Sequence, residues 1–209
     1  MTFRFYIEGS FTEEAMAKIL LVTGDGAESL EVMYPYQRLT EEGYQVDIAS
    51  PTKKTLHTVV HDFEPGWETN TEKPGYQIQP HITFAEVKPE DYVGLVIPGG
   101  RAPEYIRYDQ DLQKIVKAFF SANKPVAALC HAGQILAAGQ MVKGRTMTCY
   151  HLIRSEVIGA GANYVDQEVV VDDQLVTARA WPDHPAFMRE FMKLLRVADR
   201  KSAAPKAIA

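Results

Sequence analysis

Short apolar runs that do not alternate, each shut off by a tight turn, constrain this chain more than any other feature. Ile19-Leu20-Leu21-Val22 closes at Thr23-Gly24-Asp25-Gly26, and Val93-Gly94-Leu95-Val96-Ile97 closes at Pro98-Gly99-Gly100. Val126-Ala127-Ala128-Leu129 closes at Cys130-His131. Strands apolar on both faces belong in a sheet covered on both sides. Between the first two, a helix is expected from about Glu28 to Glu42, ended by Gly43, and then a strand over Tyr44–Ala49. This is strand–helix–strand, the unit of a parallel sheet with right-handed crossovers.

The rest of the chain fits the same architecture. After Asp109, the residues Leu112, Ile115, Val116, Phe119 and Phe120 recur at helical spacing, one stripe facing a sheet. A helix follows Cys130, with a strand at Thr146–Cys149 and a helix over about Leu152–Gly159. Val169–Val171 and Leu175–Ala178 flank Asp172-Asp173-Gln174 as a hairpin. Asp183 is placed to cap a last helix whose Phe187, Phe191, Leu194 and Leu195 face inward. Residues 51–82 break the pattern with four prolines, an edge hairpin near Thr58–Phe63 and a polar run from Glu68 to Gly75. The expectation is one α/β domain over residues 17–200, a flavodoxin-like helix–sheet–helix sandwich with a mostly parallel sheet and an insertion at 51–82. Residues 1–16 form an N-terminal extension and 201–209 a flexible tail.

Composition narrows the function classes. A chain of 209 residues with 46% apolar and 23% charged residues is ordinary for a soluble globular domain. A net charge of −5 provides no basic field for nucleic acid or anionic lipid. No run approaches the length of a membrane span, and Glu8, Glu13 and Glu14 spoil the start as a signal peptide. The two cysteines, Cys130 and Cys149, have no disulfide framework around them, which favours a reducing cytoplasm.

The chemistry is expected at the carboxyl ends of the strands, where Gly24–Glu28, Pro98–Glu104 and Cys130–His131 converge. Cys130 sits on a strand–turn–helix elbow, with the small Ala128 and Ala132 two places either side. A free thiol titrates near 8.5, and lowering it by about 2–3 units needs roughly 3–4 kcal/mol. A helix N-terminus supplies at most about 2 kcal/mol, so a further donor or cation must assist. Glu28 is a candidate, but a carboxylate would raise the thiol; it helps only if protonated and donating. His131 is a candidate base, although neighbouring side chains usually point apart. The amides of Gly99, Gly100 and His131 are candidates for an oxyanion hole. Gly24-Asp25-Gly26 has Ser29 where a dinucleotide fingerprint wants glycine, and His57, His61, His81, His151 and His184 show no metal-ligand spacing. Cys149 reads as an inert core thiol.

Four stretches carry a family resemblance: Asp25-Gly26-Ala27-Glu28, Tyr34-Pro35-Tyr36, Val96-Ile97-Pro98-Gly99-Gly100-Arg101-Ala102-Pro103-Glu104, and Val126-Ala127-Ala128-Leu129 leading into Cys130-His131. They resemble the ThiJ/PfpI (DJ-1/PfpI) superfamily, whose fold is like that of class I glutamine amidotransferases. Ala180-Trp181-Pro182-Asp183-His184-Pro185 and His61-Asp62-Phe63-Glu64 are similar to the branch containing glutathione-independent glyoxalases. Ala27 and Ala132 depart from it, since relatives often carry a bulkier residue and Gly there.

The resemblance implies Cys130 as nucleophile, Glu28 as a carboxylic acid hydrogen-bonded to it, and His131 beside it. Gly100 and His131 supply the oxyanion hole; Gly99, Trp181 and His184 join the substrate-contacting set. A Glu matching Glu104 would orient the His across a subunit interface, which implies a homo-oligomer, a dimer or a higher form such as a trimer or hexamer. The implied activity is conversion of 2-oxoaldehydes (methylglyoxal, glyoxal) to 2-hydroxy acids, with related deglycation, and with no metal, glutathione or other cofactor. The alternatives are an intracellular cysteine peptidase using Cys130, His131 and Glu104, and a redox-sensing or chaperone protein in which Cys130 oxidises.

Overall fold

The computed structural model describes residues 17–203; residues 1–16 and 204–209 lie outside them, including the expected extension and most of the expected tail. The first unit is β1 (Lys18–Val22), α1 (Ser29–Glu41) and β2 (Gln45–Ser50). The insertion holds β3 (Leu56–Asp62), β4 (Thr71–Ile78) and the two-residue β5 (Ile82–Thr83). Then come β6 (Tyr92–Ile97), the short α2 (Ala102–Ile106) and α3 (Gln110–Ser121). β7 (Val126–Leu129) runs through one 3-10 turn at Cys130–Ala132 into α4 (Gly133–Ala138). The chain continues through β8 (Thr146–Met147), α5 (Arg154–Gly159), β9 (Asn163–Tyr164), β10 (Val169–Asp172) and β11 (Leu175–Ala178). It ends in α6 (His184–Ala203), three residues into the segment expected to be a tail.

The central sheet has the order β10-β11-β7-β6-β1-β2-β5. Every pairing is parallel except β10 with β11. The chain leaves β1 toward β2 on one side and returns to β6 on the other, so the switch in strand order falls between β1 and β6. That crevice is where such sheets bind ligands. Helices flank the sheet: α1 neighbours α6, and α3 neighbours α4 through Gln113. The strands read as unalternating for a physical reason: Ile19, Leu20, Leu21 and Val22 are all fully buried, as are Leu95, Val96 and Ile97. On α3, Leu112, Ile115, Val116 and Phe119 are buried as the spacing predicts, while Phe120 is half-buried beneath the Arg145 guanidinium.

The insertion differs from expectation. Its two arms, β3 and β4, form a separate antiparallel sheet, and the polar run becomes the second arm. The edge of the central sheet is β5, not the hairpin. β4 alternates too little to bury a face, so it stays on the outside of the hairpin. Three further expectations are corrected. The strand after Gly144 covers only Thr146–Met147 and pairs with β9 away from the central sheet. The 98–109 segment contains the unforeseen helix α2. Asp183 turns its carboxylate back onto the Arg179 side chain and amide, not onto α6. No helix among the described residues is long and apolar enough to cross a membrane.

Candidate active site

The elbow after β7 places a sulfur at the mouth of the crevice. Cys130 adopts φ 57°, a left-handed conformation that costs about 1–2 kcal/mol for a residue carrying a Cβ. Ala128 and Ala132, two places to either side, are both buried. Such strain persists only where surrounding packing enforces it, and it clusters at functional sites.

The carboxyl beside the sulfur belongs to Glu31, not Glu28. Glu31 is fully buried and hydrogen-bonds to Cys130. One of its oxygens accepts the Gly99 N–H at 2.8 Å, and the Trp181 amide also faces it. Glu28 occupies the N-cap of α1 in an extended conformation, and its Oε2 accepts the Glu31 N–H at 2.8 Å. The reason is local. The N-cap side chain is drawn onto the orphan amides of its own helix, and the residue three places on is left free. Side chains in a helix lean toward its N-terminus, so Glu31 points back at the strand ends. The second carboxylate in the first turn of α1 is the sequence signal for this arrangement.

Burial dominates the electrostatics. It pushes Glu31 up to about 8, with the neighbouring Glu28 charge adding to the effect. It also holds the Cys130 thiol well above its usual range, reinforced by Glu31, while the amides of Gly100 and His131 pull the other way. Amide donors are therefore present, while burial favours the protonated forms of both Cys130 and Glu31. His131 Nδ1 lies 3.3 Å from Cys130 Sγ, so adjacency does produce contact here. Burial lowers His131 to about 4, which leaves its imidazole unprotonated and able to accept a proton. Its ring is held by Tyr150, with centroids 5.0 Å apart. Tyr150 is a site residue that the sequence reading missed.

The oxyanion set is smaller than expected. Gly99 spends its N–H on Glu31, leaving the Gly100 and His131 amides directed at the sulfur. Both glycines are sterically required. A Cβ on Gly99 would meet Cys130 Cβ at 2.5 Å, and one on Gly100, whose φ is +70°, would meet the Glu28 N at 2.2 Å. Gly100→Ala should therefore cost about 2–5 kcal/mol, combining left-handed strain with overpacking. A urea titration should show a lower midpoint at unchanged slope.

The hairpin roofs the site. Backbone bonds from Gly26 N to His57 O and from Val59 N to Ala27 O stitch β3 to the loop before α1. Glu72 Oε2 accepts from Arg101 Nε at 2.8 Å and meets His61 Nε2 at 3.1 Å. Phe63 stacks on Trp181 with centroids 5.4 Å apart, and Tyr150 OH donates to Asn70 at 3.3 Å. Cys130 is consequently only 3% exposed, and access is narrower than a nucleophile standing clear of the sheet would have. Trp181 is a roof residue. His184 is buried and stacked on Tyr34 of α1, with centroids 5.0 Å apart, so its ring supports the helix that carries Glu31. Glu104 is exposed on α2 beside Asp25, Gly26, Arg101 and Tyr105, and His131 makes its contacts elsewhere in the chain. Cys149 is a buried thiol pushed up to about 12.

A mostly parallel sheet with a strained cysteine elbow and a buried acid at its switch point defines a class of thiol-bearing α/β proteins. The model of the DJ-1/PfpI family matches residues 17–194, and this chain belongs to that family. Deglycase PH1704 of Pyrococcus horikoshii is 44% identical over 179 residues, 86% of this chain and 99% of the relative. Deglycase PfpI of Pyrococcus furiosus is 43% identical over 179 residues, with shares of 86% and 99%. Among solved structures, Drosophila melanogaster DJ-1beta superposes with a TM-score of 0.73 at 20% identity, covering 91% of this chain and all of that one; it speaks to the fold alone.

Proposed function

We propose that the protein is a cofactor-free, cysteine-dependent enzyme acting on 2-oxoaldehydes and on the adducts they form with amines and thiols. The observation that carries this reading is the Glu31–Cys130 contact at a sulfur left only 3% exposed. The deglycase names of the two archaeal relatives support it.

Cys130 sulfur adds to the aldehyde carbon while its proton passes through His131 Nδ1 to the carbonyl oxygen, giving a hemithioacetal. The Gly100 and His131 amides stabilise the oxyanion as it develops. For an amine adduct the C–S bond forms as the C–N bond breaks, and the thiol proton leaves on the amine. His131 then takes the C1 proton while the Glu31 acid protonates the C2 oxygen, giving an enediol. Return of the His131 proton to C2, and of the C1 hydroxyl proton to Glu31, yields a thioester. Water, activated by His131, releases the 2-hydroxy acid and restores the thiol.

Protein freed of metal and glutathione should convert methylglyoxal to lactate and release free amine from a methylglyoxal–arginine adduct, both followed by NMR. The rate should hold between an acid limb near His131's value of about 4 and an alkaline limb near Glu31's of about 8. Absence of both lactate and amine would end this reading.

The 3.3 Å Cys130–His131 contact also suits a second reading, an intracellular peptidase. It requires Glu104 from another copy to reach His131 and a roof that lifts for a peptide. Hydrolysis of an unfolded protein by an assembled form, lost in Glu104→Ala, would favour it.

A further inference from the structure

Glu28, displaced from the sulfur by Glu31, is fully buried, and its Oε1, like Glu31 Oε1, has no hydrogen-bond partner among the described residues. A buried carboxyl with one oxygen unpartnered is costly to ionise. The position of Glu28 offers it a role. Its Oε2 receives the Glu31 N–H, and its backbone bridges Val59 of the roof strand. Gly100 packs against its amide so closely that no Cβ fits between them. Glu28 thus stands where α1, the roof and the Gly-Gly turn meet, one helical turn before Glu31. We infer that Glu28 is a positioning residue whose charge, fixed at the head of α1, reserves the single proton of the buried carboxyl pair for Glu31. This rests on the proposed mechanism only in the use made of that proton.

Two carboxyls buried side by side do not both ionise. The environment decides which one does. Burial raises Glu28 too, but the Glu31, Leu30 and His61 amides and the His61 ring act against it. Glu31 has the Gly99 and Trp181 amides but also the Glu28 charge, and burial outweighs the rest. The surrounding titratable and charged groups are few. Cys130 comes from the elbow, with His131 beside it. His61 comes from β3, backed by Glu72 of β4, which Arg101 neutralises. Tyr34, stacked on His184, lies one turn further along α1. None of these offers Glu31 a cation, whereas Glu28 caps the helix amides, which favours the proton on Glu31.

The test is a carbon-13 titration of the glutamate carboxyls, which does not depend on turnover. In the wild type, Glu28 should ionise first and Glu31 near pH 8. In Glu28→Gln, which keeps the shape and removes the charge, Glu31 should titrate lower by about one pH unit. The alkaline limb of turnover should move with it, and Glu28→Asp should restore both. Glu31 unmoved in Glu28→Gln, or a wild type in which Glu28 is the late-titrating carboxyl, would overturn the inference even if aldehyde turnover is confirmed. If no aldehyde is turned over but the carboxyl titrations behave as stated, the inference stands and the proposed reaction falls.

Discussion

Cys130→Ala is expected to lower kcat on methylglyoxal by at least about 10⁴-fold, because every step after binding runs through the sulfur–carbon bond. Cys130→Ser should fare no better, since a hydroxyl in the same dry setting is a poorer nucleophile. A second result should accompany the first. At φ 57° a residue with a Cβ is strained, so Cys130→Gly should be more stable than Cys130→Ala by about 1 kcal/mol, reversing the usual order of these two residues. Steady-state kinetics and thermal unfolding of the three variants check both points. A Cys130→Ala protein that retains its rate would remove the covalent mechanism. A Gly variant weaker than the Ala variant would mean that the elbow is not held under strain.

Glu31→Gln should reduce kcat by about 10²–10⁴-fold, the usual range for loss of a general acid. The carboxamide keeps the acceptor for the Gly99 N–H but has no proton to exchange with the enediol. Stability provides an independent readout. Glu31 is held at about 8 in the folded protein against an ordinary glutamate value of 4.5. The folded state therefore keeps a proton that the unfolded chain releases. The stabilisation is complete below pH 4.5 and is lost as pH rises through 8, at up to about 1.4 kcal/mol per pH unit. Urea unfolding of the wild type should thus weaken by a few kcal/mol between pH 5 and pH 9, beyond any change shown by Glu31→Gln. Other groups are common to both proteins and cancel in the comparison; His131 and His184, each lowered to about 4, add a loss of stability on the acid side, from 6.5 downward. Parallel wild-type and variant curves would show that Glu31 is ionised at rest.

The central sheet and the position of the cysteine elbow were legible in the chain. Strands such as Leu95–Ile97 are buried on both faces, and full burial leaves its mark as an apolar run with no alternation. Cys130 was legible because an elbow needs a strand, small neighbours and a helix in immediate succession, all of them local properties. The exposed β4 carried no such signal. Its sequence is polar because one side faces solvent, and its role as the second arm of the roof depends on β3, which packs from elsewhere in the chain.

Which carboxyl reaches the sulfur was a tertiary decision. Glu28 and Glu31 are alike in type and three residues apart, and the strand-end argument favoured Glu28. The helix start settled otherwise, since the N-cap position commits the Glu28 side chain to an amide of its own helix. The thiol's proton was likewise decided by depth. The sequence supplies the donors, but burial, to which the folded hairpin contributes with Phe63 on Trp181 and Glu72 on Arg101, favours the protonated thiol. Local pattern determined where the Cys130 sulfur stands, because strand and turn preferences act over a few residues. Its protonation and its access came from segments some seventy residues upstream and fifty downstream, because desolvation is a property of everything packed around a group at once.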